Sequence, residues 1–200
     1  MNILKFFLKK KKKNIINRGE NNIFSHIPRG LKISIWGNNN RIEIDSSVQY
    51  FKGCIAIGDS SFCTNNTLIR IGKNCSSNGV NIVLYEDNST IEIGDDCMFS
   101  WNIAIWNSDS HSIFDKNSKK LLNIGKKIKI EDHVWVGMNS VILKNTQISS
   151  NSIIAANAVV TKPFLEENVI IAGNPARIVK NGINWDRERP CAYLKEENHL

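Results

Sequence analysis

The sequence predicts an all-β chain wound as a parallel β-helix, and three regularities carry that prediction. From Ile130 onward the residues fall into hexads, IEDHVW, VGMNSV, ILKNTQ, ISSNSI, IAANAV and VTKPFL. Their first position is Ile130, Val136, Ile142, Ile148, Ile154 and Val160, without a gap. The fifth position is Val134, Ser140, Thr146, Ser152, Ala158 and Phe164, mostly small, and the fourth is asparagine four times running, at Asn139, Asn145, Asn151 and Asn157. A period of six matches neither the 3.6-residue helix nor the two-residue alternation of an ordinary strand. It matches a coil with three short strands per turn, each hexad supplying one strand and one tight corner. The aliphatic residue points inward and stacks on its equivalents three hexads away. The small residue faces in where a corner leaves little room. Asparagine tolerates the left-handed backbone region and bonds to nearby backbone, which suits it to a corner. A single coil cannot bury its apolar face alone, so each needs neighbours above and below.

Taken in order, residues 1–32 form an arm and an irregular lead-in with no clear periodicity. Lys9, Lys10, Lys11, Lys12 and Lys13 run unbroken and carry much of the formal net charge of +7. Two readings of this run stand: a solvated arm, and a contact of residues 1–13 with a membrane surface. Ile3, Leu4, Phe6, Phe7 and Leu8 precede the lysines, and an apolar patch followed by a basic cluster can rest on anionic lipid. The apolar part is too short to span a bilayer and lacks the h-region and cleavage site of a secretory signal. No basic patch interleaved with aromatics follows, so nucleic acid is not an expected partner.

The coil is expected over about residues 33–165. Its upstream half is the same signal in broken form: Ile44-Asp-Ser-Ser-Val, Ile57-Gly-Asp-Ser-Ser, Ile71-Gly-Lys-Asn-Cys and Ile93-Gly-Asp-Asp-Cys. Ile71 and Ile93 stand 22 residues apart, one 18-residue coil plus a short insertion. Cys75 and Cys97 fall on the small fifth position, as buried fillers. With Cys54, Cys63 and Cys191 they make an odd, irregularly spaced set without a C-x-x-C pair. That argues against a disulfide framework or a zinc site and fits a reducing, cytoplasmic setting.

The hexad phase is lost after Ile105 and returns at Ile128 or Ile130. The insert over about 106–127 is polar and turn-rich, and it holds His111, one of four histidines. A loop of that length inside a compact repeat is functional or disordered. Residues 166–200 read as a cap over the open end of the coil, with a Gly-Asn-Pro turn at Gly173–Pro175 and a polar tail.

These residues carry a resemblance. The tandem hexads, the histidine in an extended loop, the Val-Trp-Val-Gly of Val134–Gly137, the segment Ala158–Lys162 and the Ala-Gly-Asn-Pro-Ala-Arg of Ala172–Arg177 together resemble the hexapeptide-repeat acetyltransferases. Within that family the chain is similar to the branch that O-acetylates sugars and surface polysaccharides, including maltose/galactoside and polysialic acid O-acetyltransferases. The resemblance covers about residues 33–180. It implies a left-handed coil, a homotrimer with active sites between neighbouring subunits, acetyl-CoA as acyl donor, and a glycan or sugar acceptor. The handedness comes from the resemblance alone, since parallel crossovers are otherwise right-handed.

An alcohol is a poor nucleophile at neutral pH, and histidine as a residue type titrates near it, at about 6.5. By the family match His111 takes the proton of the sugar hydroxyl and returns it to the departing thiolate. Asp109 and Asp115 are candidates to orient the imidazole or bind sugar hydroxyls, or else turn residues. Asn102 matches an asparagine common beside this site, and Asn81 is a second polar candidate; both also fit corners. Trp135 is placed by the resemblance to wall the acceptor or the pantetheine arm. Met138, Ala155 and Ala156 would line the CoA groove, and Lys162, Arg177 and Lys180 match the family's basic positions for its phosphates. A zinc site of three histidines, as in β-helical carbonic anhydrases, is disfavoured: His26 precedes the repeat, His199 is in the tail, and His133 reads as a corner residue. No metal is expected. Two other functions stand beside O-acetylation: N-acetylation of an amino-sugar nucleotide, and a non-catalytic scaffold.

Overall fold

Strands of two to nine residues stack in register turn upon turn, each aliphatic side chain landing on its counterpart below. The computed structural model describes residues 14–197, with side chains described as far as 194. The basic arm over 1–13 and its membrane reading lie outside the described residues, as does His199. The first half of the coil comprises β1 (Ile15–Asn17), β2 (Ile23–Phe24), β3 (Arg29–Ile35), β4 (Arg41–Ile44), β5 (Tyr50–Ile57), β6 (Leu68–Ile71), β7 (Ser76–Leu84), β8 (Thr90–Ile93), β9 (Met98–Phe99) and β10 (Ile103–Trp106). The second half is β11 (Lys127–Ile130), β12 (Trp135–Val136), β13 (Val141–Leu143), β14 (Gln147–Ile148), β15 (Ile153–Ile154), β16 (Val159–Val160), β17 (Ile170–Ala172) and β18 (Arg177–Lys180). A single helix, α1 (Pro190–Glu197), follows.

The chain is a left-handed parallel β-helix with three faces. On the first, Ile15, Ile33, Ile55, Ile82, Ile105, Ile142 and Val160 pair in sequence, at spacings of 18, 22, 27, 23, 37 and 18 residues. The second face stacks Ile44, Ile71, Ile93, Ile130 and Ile148. The third stacks Phe51, Ser77, Phe99, Val136, Ile154 and Ile171. All of these inward positions from Ile33 on are buried, and each buried aliphatic or aromatic side chain is worth about 1.5–3 kcal/mol in removal from water. Winding to the left runs against the usual crossover preference. That preference arises where twisted strands feed helical crossovers, and here strands as short as two residues meet at bare corners.

The corners behave as the hexads predict. Asn139, Asn145, Asn151 and Asn157 all adopt φ between +58° and +61°. Val134, Ser140, Thr146, Ser152, Ala158 and Phe164 are buried, as are Cys75 and Cys97. None of the five cysteines is in a disulfide. Ser61 departs from its hexad reading and is exposed, because the corner after Ile57 is enlarged. Asp59 closes that wider turn by accepting from the amides of Ser61 (2.7 Å) and Phe62 (3.0 Å), and Thr64 and Thr67 supply the buried polar side chains there. The coil also starts a full turn before Ile33, since β1 pairs parallel with β3.

The three faces differ outward. The second carries alternating charge, with Arg41 and Arg70 bonded to Glu43, Lys127 to Glu92 and Lys129 to Glu131. The first presents Cys54, Ala56, Asn81, Val83, Ala104 and Trp106, small or apolar, with Lys32 on the rung next to Cys54. The third receives the C-terminal tail. At the end of the stack β18 pairs with β17 antiparallel, the sole antiparallel strand pair among the described elements. No described helix is long and apolar enough to cross a membrane.

Removing a ladder residue and removing a corner residue test different terms. Ile142→Ala is expected to cost about 2–5 kcal/mol in chemical denaturation, because the stacked neighbours cannot close the gap. Asn151→Ala is expected to cost about 1 kcal/mol and Asn151→Gly close to none, since only the left-handed backbone is at stake.

Candidate active site

The long insert leaves the coil at the corner between the first and second faces, and its neck is clamped. Asn107 is fully buried; its Oδ1 accepts from the Tyr85 amide (2.9 Å) and its Nδ2 donates to Ser89 Oγ (2.6 Å). The returning strand passes so close that a Cβ on Gly125 would lie 1.6 Å from the Asn107 carbonyl oxygen, so only glycine fits there. Asn145, one coil above, accepts from Lys126 N (2.8 Å) and donates to Ile124 O (2.9 Å). The loop is therefore ordered: its base is fixed and its tip is built. Phe114 and Leu121 bridge antiparallel, and Asp115 closes the tip by accepting from Ser118 N (2.7 Å), Ser118 Oγ (2.8 Å) and Asn117 N (3.1 Å).

His111 sits on the near side of this loop. Its amide donates to the Asp109 carbonyl (2.7 Å), and its own carbonyl accepts from Asn123 Nδ2 (2.8 Å). The same Asn123 nitrogen reaches Asp109 Oδ2 (2.8 Å), and Asn123 Oδ1 accepts from Ile113 N (2.9 Å). Asn123 thus ties both limbs of the loop around the histidine. Ser108 donates to Glu86 Oε1 (2.6 Å) and its oxygen accepts from Ser110 N (2.9 Å). The backbone of His111 is fixed, while no described residue hydrogen-bonds its ring. His111 lines a cavity of about 160 Å³ together with Phe62, Tyr85, Glu86, Ser110 and Asn123.

The sequence candidates separate in this geometry. The carboxylate of Asp109 pairs with Lys144 Nζ and Asn123, not with the imidazole. The bond from Lys144, then that from Asn123, hold it below the usual carboxylate range. Asp109 is a strut of the loop and supports His111 through its backbone. Asp115 is spent on the turn at the tip, and those same bonds from residues 117 and 118 lower its pKa. Asn102 is a corner residue at φ +55°, donating to Asn139 Oδ1 at 2.9 Å. Asn81 is exposed on the first face beside Cys54, Ala104 and Trp106.

Trp135 is on the third face, in a cavity of about 690 Å³ that shares no lining residue with that of His111. Met138 and Ala156 share the exposed corner between the third and first faces, where Asn157 N donates to Met138 O (2.9 Å). A Cβ on Gly137 would meet Ala156 N at 2.6 Å and the Ala155 carbonyl carbon at 2.9 Å, so glycine there lets the coils close up beneath that corner. Lys162, Arg177 and Lys180 are exposed at the C-terminal end of the coil, the Lys162 ammonium 5.7 Å above the Phe164 ring. The described histidines are dispersed. His26 Nε2 meets Val48 O (2.9 Å), and His133 is a corner residue at φ +54°.

Four residues around His111 were not singled out from sequence: Tyr85, Glu86, Asn123 and Lys144. Glu86 and Ser108 are 22 residues apart, as are Tyr85 and Asn107, so the local coil length would have found the first two. Burial, then the Asp59 carboxylate, raise the Tyr85 phenol above its ordinary pKa.

Comparison with known proteins gives a concordant result. Residues 127–162 match the bacterial transferase hexapeptide family (six repeats). The polysialic acid O-acetyltransferase of Neisseria meningitidis is 30% identical over 193 residues, covering 86% of this chain and 87% of that protein. That of Escherichia coli O1:K1 is 33% identical over 134 residues, 67% of this chain but 43% of that protein, so the match spans less than half of its length. Among solved structures, the polySia-specific acetyltransferase NeuO superposes with a TM-score of 0.69 at 27% identity, covering 92% of this chain and 97% of that one.

The Asp109–Lys144 pair makes a pH prediction. A carboxylate lowered by folding adds stability that is present above its unfolded pKa, about 3.9, and is lost as pH falls through the folded value. In Lys144→Met the Asp109 titration, followed by carboxyl NMR, should move up toward the ordinary range, and acid opening of the loop should begin at higher pH. An unmoved titration would show that the pair does not hold the loop.

Proposed function

The chain belongs to the hexapeptide-repeat acetyltransferases, and from that premise we propose that it transfers an acetyl group from acetyl-CoA to a hydroxyl of a surface glycan. The observation that carries the chemistry is His111 itself, lining a cavity with its ring unbonded by any described residue while Asp109 and Asn123 fix its backbone. A base in that setting is positioned by its main chain and keeps a ring nitrogen for substrate. His111 takes the hydroxyl proton as the oxygen attacks the acetyl carbonyl carbon. The carbon–oxygen bond forms, the carbon–sulfur bond breaks, and the imidazolium returns its proton to the CoA thiolate. The products are the acetyl ester and free CoA, with no covalent enzyme intermediate.

The separation of His111 from Trp135 within one chain supports a site shared between copies. Ile113, Phe114, Leu122 and Ile124 are all about half exposed on the loop, an apolar hairpin that a neighbour would cover. The small and apolar stretch of the first face, from Cys54 to Trp106, offers a second such surface. On this reading the unit is a homotrimer in which the loop of one copy reaches toward Trp135 of the next. CoA then runs along the corner of Met138, Ala155 and Ala156, where small outward residues leave room. Its phosphates meet Lys162, Arg177 and Lys180 at the end of the coil.

Replacing His111 by Ala is expected to lower kcat about 10²–10⁴-fold, read as thiol release from acetyl-CoA, with the KM for acetyl-CoA little changed. Undiminished turnover would overturn the general-base role.

A further inference from the structure

A cavity larger than that of His111 is built by the tail and, Trp135 apart, takes no residue used in the chemistry above. After β18 the chain turns back and lies as an extended strap along the third face. Trp185, only 7% exposed, stacks on the His133 ring at 4.2 Å and 10°, and its Nε1 donates to the His133 carbonyl at 2.9 Å. The guanidinium of Arg187 bonds Asp96 Oδ1 (2.9 and 3.0 Å) and Ser76 Oγ (2.8 Å), so its charge is spent on the coil. What this docking leaves between strap and coil is the groove of about 690 Å³, walled by Trp135, Trp185, Ile153 and Tyr193 and edged by Asp186 and Glu188. The Trp135 and Trp185 rings are 6.1 Å apart at 46°, so the two indoles form an angled apolar wall.

We infer that this groove is an acceptor subsite for an uncharged pyranose unit of the glycan. The inference rests on the proposed transfer and adds the class of sugar. Flat aromatic walls suit the C–H faces of a pyranose, and carboxylates at the rim accept its hydroxyls. Among the described lining residues two are carboxylates and none is lysine or arginine; the guanidinium of Arg187, 5.9 Å over the Trp185 ring, is the one paired with Asp96. The Glu188 amide (2.8 Å) and then Tyr193 bond Asp186, keeping it ionised well into the acid range. A carboxylated sugar entering here meets like charge at the exposed rim. The groove therefore selects against the polysialic acid for which the relatives are named.

The test measures binding to the full chain without acetyl-CoA, by tryptophan emission and calorimetry, using a neutral galactose tetrasaccharide and an α2,8-linked sialic acid tetrasaccharide. The neutral probe should bind about tenfold more tightly or better, and Trp185→Ala and Tyr193→Ala should each weaken it about tenfold, while Trp185→Phe retains most affinity. Because Trp185→Ala also loosens the strap, Glu188→Gln, an exposed change, is the second arm. It should raise affinity for the sialic acid probe and leave the fold, by circular dichroism, unchanged. Tighter binding of the sialic acid probe to the wild type, or neutral-probe affinity unmoved by all of these changes, overturns the subsite. A wild type that binds the neutral probe but transfers acetyl to no glycan overturns the function and leaves the groove standing. Transfer to neutral glycans with a KM unmoved by Tyr193→Ala and Glu188→Gln does the reverse.

Discussion

Every turn of this coil must change direction three times while its backbone stays paired above and below, and the left-handed corner residue is what permits it. Fifteen non-glycine residues take positive φ among the described residues, and eleven of them are asparagine. The choice is chemical: asparagine bears this backbone at low cost and its side chain can bond onward. Asn21, Asn39, Asn66 and Asn88 form such a ladder, each amide reaching the next at 3.2–3.3 Å. Once the corners are set, the aliphatic positions have nowhere to point but inward, and the core follows. The same geometry lets the coil lengthen by insertion only at corners, because a residue added inside a strand would turn every later side chain the wrong way.

That rule explains where the long insert leaves the coil. The step from Ile105 to Ile142 is 37 residues instead of 18, and the excess leaves through one corner, clamped by Asn107, Gly125 and Asn145. The scaffold supplies rigidity at the neck, and the loop supplies reach. Asn123 then sets the depth of His111 by holding its carbonyl and the Asp109 side chain together. The loop is thus held by polar side chains that satisfy backbone groups, and the His111 ring is left without a partner among the described residues.

Legibility in the sequence followed interruption. From Ile130 to Phe164 no residue is inserted, so strands, corners and buried small positions could all be read from one phase. Upstream, steps of 22, 27 and 23 residues hid the turn around Ile15 and placed Ser61 on a buried position it does not occupy. His111 was findable because it lies in the longest break. Lys144 was not, since its meeting with the loop depends on which coil lies above. The tail was least legible: His133 and Trp185 are 52 residues apart, and no periodicity links them.

One feature of the end of the coil bears on behaviour at high concentration. A stack of parallel strands presents at its last turn the same row of donors and acceptors that each inner turn presented to the next, and so offers a template to any similar strand. β18 lies across that row in the opposite sense, pairing Ile170 with Lys180 and Ala172 with Arg177 after a break in register. A copy arriving to continue the parallel ladder finds it already occupied by a strand of the wrong polarity. On that face the parallel ladder could be continued by another copy only by displacing the reversed strand.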